Sequence, residues 1–241
     1  MMKQFTTEET MLRVWDVENI KKVMHRRVYY IANEWRAREL EELWVSDPAH
    51  QKTASFGRNT GYYVGMEAIR GYYMDHHARE MGDGTGYLSN HPVTTGLVRL
   101  AEDGKTAKGM WYSIAQETRP QGDGTALALW MPEKIGVDFV KEADGWKIWH
   151  IMIANDLVCE AGTNNEEDPV YVDYATDPVA VEFGTPTIQK LVHDQTFNWW
   201  DNYPPMPQPY EHWSDDISYG PEGYREPTTF QFGAKGGRNY K

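Results

Sequence analysis

Residues 134–158, KIGVDFVKEADGWKIWHIMIANDLV, decide the fold. They read as two long antiparallel strands joined at Ala143-Asp144-Gly145. Asp-Gly between two alternating apolar runs is a strong hairpin signal, because both central residues of a tight turn reach positive φ there. Alternation along the second strand sets Trp146, Ile148, His150, Met152, Ala154 and Asp156 on one face, and Lys147, Trp149, Ile151, Ile153 and Asn155 on the other. Both faces are largely apolar, so the strand should be covered twice, by a helix on one side and by a partner subunit or the C-terminal segment on the other. His150, Asn155 and Asp156 then need buried partners or a chemical role.

Upstream of this hairpin the same period-two pattern recurs. His91 to Leu100, Ala107 to Gln116 and Thr125 to Met131 read as strands, separated by turns at Glu102-Asp103-Gly104-Lys105 and Gln121-Gly122-Asp123-Gly124. Lys52 to Val64 suggests a shorter hairpin. Earlier still the period is helical. Asp16 can cap a long helix whose apolar stripe runs through Val17, Ile20, Met24, Val28, Ile31 and Trp35. Arg27 and Glu34 fall close to that stripe and Tyr30 at its edge, either as an internal ion pair or as pocket lining. A second helical run covers Arg38 to Trp44 and a third Gly65 to Arg79. Helices followed by a run of antiparallel strands is the α+β pattern. A sheet this long can curl around the first helix into a cone with an open mouth.

From Ala161 the character changes. Asn164 to Pro169 is a polar linker, and residues 187–200 carry Ile188, Leu191, Val192 and Trp199 at helical spacing. Beyond Tyr203 the chain is rich in Pro, Gly and aromatic residues, too aromatic for a free tail, and is expected to pack as an extended arm on a surface such as that of a neighbouring subunit. The chain therefore divides into a cone domain over 10–160 and an extension over 161–241.

Composition narrows the function. Thirty-six acidic against twenty-four basic residues give a net charge of −12, which opposes binding to nucleic acid or an anionic membrane. The single cysteine, Cys159, offers neither an internal disulfide nor a thiolate metal cluster. Residues 1–16 lack the apolar core of a signal peptide, and no run reaches the roughly 18 apolar residues of a membrane span, so a soluble, cytoplasmic protein is expected. Ten Trp and fifteen Tyr suit a core, an interface or a pocket for a ring-shaped ligand. There is no phosphate-binding glycine loop, no Gly-x-Ser-x-Gly elbow and no His-Glu-x-x-His, and nothing in the spacing favours a metal.

The first helix (DVENIKKVMHRRVYYIANEWRARELEELW), a lone His91 opening a strand, the Gly109-x-Trp111-Tyr112 strand and the closing Asp144-Gly-Trp-Lys-Ile148 hairpin together resemble SnoaL-like proteins. These belong to the nuclear transport factor two-like superfamily, with scytalone dehydratase, ketosteroid isomerase and bile-acid dehydratase as relatives. The resemblance covers roughly residues 10 to 160. It implies a curved antiparallel sheet wrapped against helices into a cone, with an apolar pocket whose few polar groups act by acid–base catalysis on cyclic substrates, without metal or organic cofactor.

Carried over position by position, the resemblance puts His91 where dehydratases hold a pocket histidine. On the first helix, the tyrosine and aspartate of the dehydratases fall at Arg27 and Ala32, with Tyr30 and Glu34 nearby. The acidic or histidine position of the Trp-Tyr strand falls at Ala115, and a polar substrate-binding position of the last strand at Asn155. The acid–base pair of the dehydratases is thus not reproduced. The expected catalytic set is His91, Tyr30 and Asp156, with Arg27, Glu34, Asn155, His150 and Trp111 binding substrate. Proton abstraction followed by elimination or isomerisation on an aromatic or polycyclic small molecule is the expected chemistry, with a lyase, by dehydration or carbon–carbon cleavage, as the first expectation. A ketosteroid-isomerase-like isomerase, a binding protein, or a structural subunit like the β-subunits of ring-hydroxylating dioxygenases are the alternatives. A homo-oligomer, dimer or trimer, is expected from the doubly apolar strand and the arm.

Overall fold

The computed structural model describes residues 4–76, 81, 84–156, 158–162, 186–189 and 204–223. Its long helix α1 (Thr7–Ala32) starts at Thr6 rather than behind Asp16, because Thr6 and Glu9 cap each other's backbone N–H in a reciprocal box. Asp16 lies inside the helix and accepts from Lys141 (2.9 Å) and Trp146 Nε1 (2.8 Å) of the sheet. The buried stripe is Ile20, Val23, Met24 and Ile31, interrupted by Arg27 and Tyr30. Glu34, at φ 54°, turns the chain into α2 (Arg36–Glu42), and α3 (Pro48–Gln51) follows.

Strands β1 (Ser55–Arg58) and β2 (Gly61–Val64) form the expected short hairpin. Helix α4 (Met66–Arg70) continues into a π-helical turn, Gly71–His76. The remaining strands are β3 (Leu88–Asn90), β4 (Val93–Leu100), β5 (Thr106–Pro120), β6 (Ala126–Glu142), β7 (Gly145–Asn155), β8 (Cys159–Glu160) and β9 (Ile188–Gln189). The sheet runs β3-β5-β6-β7-β1-β2-β9, with β4 also on β5 and β8 on β6. All pairs are antiparallel except β1 with β7, so the sheet is mixed where the sequence suggested antiparallel strands throughout. The long hairpin is as expected, with Glu142 opposite Gly145 across the Asp144 turn.

Strict alternation fails in β7. The ladder pairs Phe139 with Ile148 and Asp138 with His150, so Trp149 is an extra residue with no cross-strand partner, a β-bulge. Trp146 and Ile148 therefore share the core face with Ile151 and Ile153, packed over α1 with Phe56, Tyr73, Trp111 and Phe139. Met152 and Ala154 turn to the opposite face, against Tyr62 and Tyr219. Each fully buried aliphatic side chain there contributes about 1.5–3 kcal/mol of transfer free energy.

That opposite face is covered by the C-terminal arm, one of the two covers the sequence suggested. Pro204 and Tyr219 close on Gly136, and Tyr219 donates to Pro205 O at 2.7 Å. Backbone N–H groups of Glu102 and Asp103 donate to Tyr210 and Glu211. The arm is pinned at Asp138, fully buried, whose carboxylate receives Lys108 Nζ, His150 Nδ1 (3.0 Å), Ser218 Oγ (3.2 Å) and the Tyr219 N–H (2.6 Å). Ile188 and Gln189, expected to open a helix, instead extend along β2. Residues 190–200 and the linker at 164–169 lie outside the described residues.

Candidate functional site

The site grows from positions where a charged side chain occupies the inward parity of a strand. In β5 the inward residues past Trp111 are Ser113, Ala115 and Glu117; in β6 Glu133 shares its parity with Ile135, Val137 and Phe139. His91, held by the bend between β3 and β4 beside Pro92, reaches between the two acids. Its Nδ1 lies 2.9 Å from Glu133 Oε1 and its Nε2 3.0 Å from Glu117 Oε1. All three are buried.

With an acceptor at each ring nitrogen the imidazole carries both protons. Burial opposes that charge, but the Glu133 charge and the hydrogen bonds to both carboxylates outweigh it, and the His91 pKa is pushed up to about 9. Glu117 moves the other way: burial would raise it, yet the His91 hydrogen bond and the Arg119 charge hold it well below the usual carboxylate range. Arg119 Nη2 donates to Glu117 Oε2 at 3.0 Å. Asn155, paired with Glu133 in the ladder, donates through Nδ2 to Glu133 Oε2 (3.1 Å) and accepts from Arg58 at 3.2 Å.

Beside His91 lies a cavity of about 20 Å³, lined by Arg27, Arg36, Arg58, Tyr73, Ser89 and Glu117 along with apolar Ile31, Phe56, Tyr72 and Ile153. That is room for a water-sized group. Two expectations are corrected here. The pocket is charged rather than apolar, and of the three uses open to the aromatic residues the core takes these: Phe56 stacks on Tyr72 at 4.9 Å and meets Tyr73 edge-on at 5.3 Å, which leaves no space there for a ring-bearing ligand.

Of the residues expected at the site, His91, Arg27 and Asn155 come together. Arg27 donates to Glu39 (3.0 Å) and to the Tyr73 hydroxyl (3.1 Å). Tyr30 does not join them; its hydroxyl donates to Glu42 (2.7 Å) in an outer cluster with Arg26 and Arg38. Glu34 clamps Arg36 through two contacts of 3.1 Å and so acts behind the cavity wall. Asp156 faces away to Lys134, at 3.2 Å, because alternation gives the inward place to Asn155. The bulge at Trp149 leaves His150 on the outer face with Asp138, and Trp111 is core, packed edge-on to Phe139 at 6.1 Å. Sequence reading missed Glu117, Glu133, Arg36, Arg58 and Tyr73. A signal for the two acids existed: each is a carboxylate at the apolar parity of its strand, and Glu117 stands one inward step beyond Ala115, the position to which the resemblance carried an acidic or histidine group.

Among the described residues no group of three or more His, Cys, Asp and Glu side chains has metal-binding geometry, and no helix is long and apolar enough to cross a membrane.

A long helix cradled by a curved mixed sheet, with a histidine in the enclosed space, defines a cone-shaped α+β protein of the nuclear transport factor two type. Residues 12–152 match the SnoaL-like domain, and the chain belongs to that family. Among solved structures it is similar to a nuclear transport factor two-like protein with a cystatin-like fold from Novosphingobium aromaticivorans, at 20% identity, 64% of this chain, 92% of that one and a TM-score of 0.47. It is also similar to a candidate scytalone dehydratase of the same organism (12% identity, 64% and 93% coverage, TM-score 0.50). A hexachlorocyclohexane dehydrochlorinase aligns at 12% identity over 63% and 93% of the two chains, with a TM-score of 0.49. At such identities the likeness is one of fold. No curated protein matches the chain in sequence.

Proposed function

We propose that the protein is a cofactor-independent lyase that eliminates water or another small leaving group from a small molecule, with the site in the cone of residues 10–160 and residues 204–223 of the extension acting as a strap. The observation that carries this reading is the direct 3.0 Å contact between His91 Nε2 and Glu117 Oε1 at the cavity wall. Elimination removes one proton from carbon and gives one to the leaving group, so it needs an acid and a base that can restore each other. Glu117 takes the C–H proton, the C–H electron pair becomes the new double bond, and the leaving group departs with its bonding pair and the Nε2 proton of His91. The proton on Glu117 then returns to Nε2 along the same hydrogen bond. His91, with a pKa of about 9, starts as the acid. Glu117, held below its usual range, is a weak base, so the carbanion must be stabilised by the surrounding cations. Glu133 and Asn155 fix the imidazole ring.

A second reading has one observation of its own. The cavity is about 20 Å³, and a cone so well filled also suits a non-catalytic member in which these ion pairs only organise the core. Single-turnover mass spectrometry on a panel of small hydroxylated compounds separates the two. Product lighter by water with wild-type protein, lost in His91→Gln and Glu117→Gln, supports the lyase; binding or silence across the panel with a folded wild type refutes it. The oligomer belongs to the proposal as well: a second copy seated on exposed Tyr112, Ile114 and Trp130 of the sheet, tested by sedimentation of wild type against Ile114→Glu.

A further inference from the structure

We propose that the solvent face of α1 is a docking surface for a second copy of this chain, on which the two first helices lie antiparallel about a two-fold axis; the proposal stands apart from the lyase reading. The buried stripe of α1, through Ile20, Met24, Arg27 and Ile31, occupies one side of the helix. On the side turned away from it Met11 is 68% exposed, Trp15 60% and Tyr29 68%. A lone exposed apolar side chain needs no explanation, but the outer line of an amphipathic helix is ordinarily polar, and here three large apolar groups stand along it. Exposed Glu18, Lys22 and His25 complete the same line.

From Met11 to Tyr29 the steps along that line are 4, 3, 4, 3 and 4 residues, the spacing of a helix that packs on another helix. The series reads the same in both directions. Two copies laid antiparallel therefore meet in layers: Met11 on Tyr29 of the second copy, Trp15 on His25, and Glu18 on Lys22, each layer occurring twice. Such a surface is complementary to itself, as a two-fold interface requires. The outer layers join a thioether to a ring and an indole to an imidazole. The central layers join opposite charges. Parallel pairing would set Glu18 on Glu18 and Lys22 on Lys22, so charge selects the antiparallel arrangement.

The central groups are available for this. Lys22 lies over the Trp15 ring of its own helix at 4.7 Å and has no carboxylate at ion-pair distance among the described residues. Glu18 accepts from Lys21 through one oxygen, at 2.7 Å, and its second oxygen is not engaged by any described residue. With one acid and one base from each copy, the seam adds no repulsion to that of a chain whose net charge is −12. Residues 11–29 span about 27 Å of helix. A single seam of that length is smaller than the roughly 800 Å² per partner of a standard interface, so the association is weak and reversible. It is also separate from the sheet surface of Tyr112, Ile114 and Trp130, since α1 packs on the core face of the sheet and those side chains point from the other.

The test is sedimentation equilibrium of the full chain in an Ile114→Glu background, which disables the sheet surface. Glu18→Lys, Lys22→Glu and an equimolar mixture of the two are compared with the Ile114→Glu parent, each checked for folding by circular dichroism. The parent is expected to self-associate. Either reversal alone sets like charges together in both central layers and is expected to weaken association about tenfold or more. In the mixture every central layer again joins a lysine to a glutamate, and only across copies, so the mixture is expected to recover the parent's affinity. Three results overturn the seam: a folded parent still monomeric at roughly 1 mM, where even a weak specific contact is populated; equal association in the parent and both single variants; or no recovery in the mixture.

Discussion

The bracketed imidazole at His91 makes a quantitative claim about stability against pH. The pKa is raised from 6.5 to about 9 in the folded chain, so the protonated form is the one that folding favours. The stabilisation is fully present below the unfolded value of 6.5 and is lost as pH climbs through about 9. The difference between those two values corresponds to about 3 kcal/mol. Above that range a neutral ring would sit between two buried carboxylates, both Glu117 and Glu133 having lost the cation that joins them. Unfolding by urea should therefore be followed for wild type and His91→Gln at about pH 6 and about pH 10. Titration of surface lysines and tyrosines cancels in the comparison. The advantage of wild type over the variant should shrink by about 3 kcal/mol between the two conditions, and the ring protons of His91 should titrate near pH 9 by NMR. A His91 ring that titrates at or below 6.5, or a gap between the two proteins that is independent of pH, would falsify the doubly paired imidazolium and with it the assignment of His91 as the acid.

Three further outcomes follow from the packing. Arg27→Met strands the fully buried Glu39 carboxylate and should cost about 3–5 kcal/mol in urea unfolding, with part regained in the Arg27→Met, Glu39→Gln pair. Asp138→Asn removes the charge that holds Lys108, His150, Ser218 and the Tyr219 N–H together, so residues 204–223 should become the first site of limited proteolysis while the cone stays intact. Thr95, exposed at φ 51° beside the irregular register of β4, carries a β-branched side chain in left-handed backbone; Thr95→Asn should raise stability by about 1 kcal/mol.

How much of this was legible depended on whether a property was local. The Asp-Gly turn, the alternation of β6 and the stripe Ile20, Met24, Ile31 are neighbour effects, and each stands where the pattern puts it. Resemblance singled out His91, whose ring is buried at the cavity wall. The start of α1 was misjudged because Thr6 and Glu9 form a capping box whose N-cap stands ten residues ahead of Asp16, itself a plausible cap. Glu117 and Glu133 were missed although an acid at apolar parity marks them, because their value lies in meeting one histidine from strands far apart in sequence. Tyr30 was misassigned since one turn of helix decides between Arg27's inward direction and the outer cluster with Glu42. The arm could not be assigned to its own sheet from composition, which says that aromatic residues will be covered but not by what.

The bulge in β7 makes that strand one residue longer than its ladder. Ile148 faces the core, His150 the arm, Ile151 the core again. Excising Trp149 would leave Ile148, His150, Ile151 and Met152 in unbroken alternation, each still facing its present side. Such a deletion gives up the Trp149 contacts to Thr53 Oγ1 at 2.9 Å, to the rings of His50, His150 and Trp213, and to the edge of the core. Most central strands read in a single frame that a lost residue destroys. This one is written in two frames with a spare letter between them, and can be shortened without being rewritten.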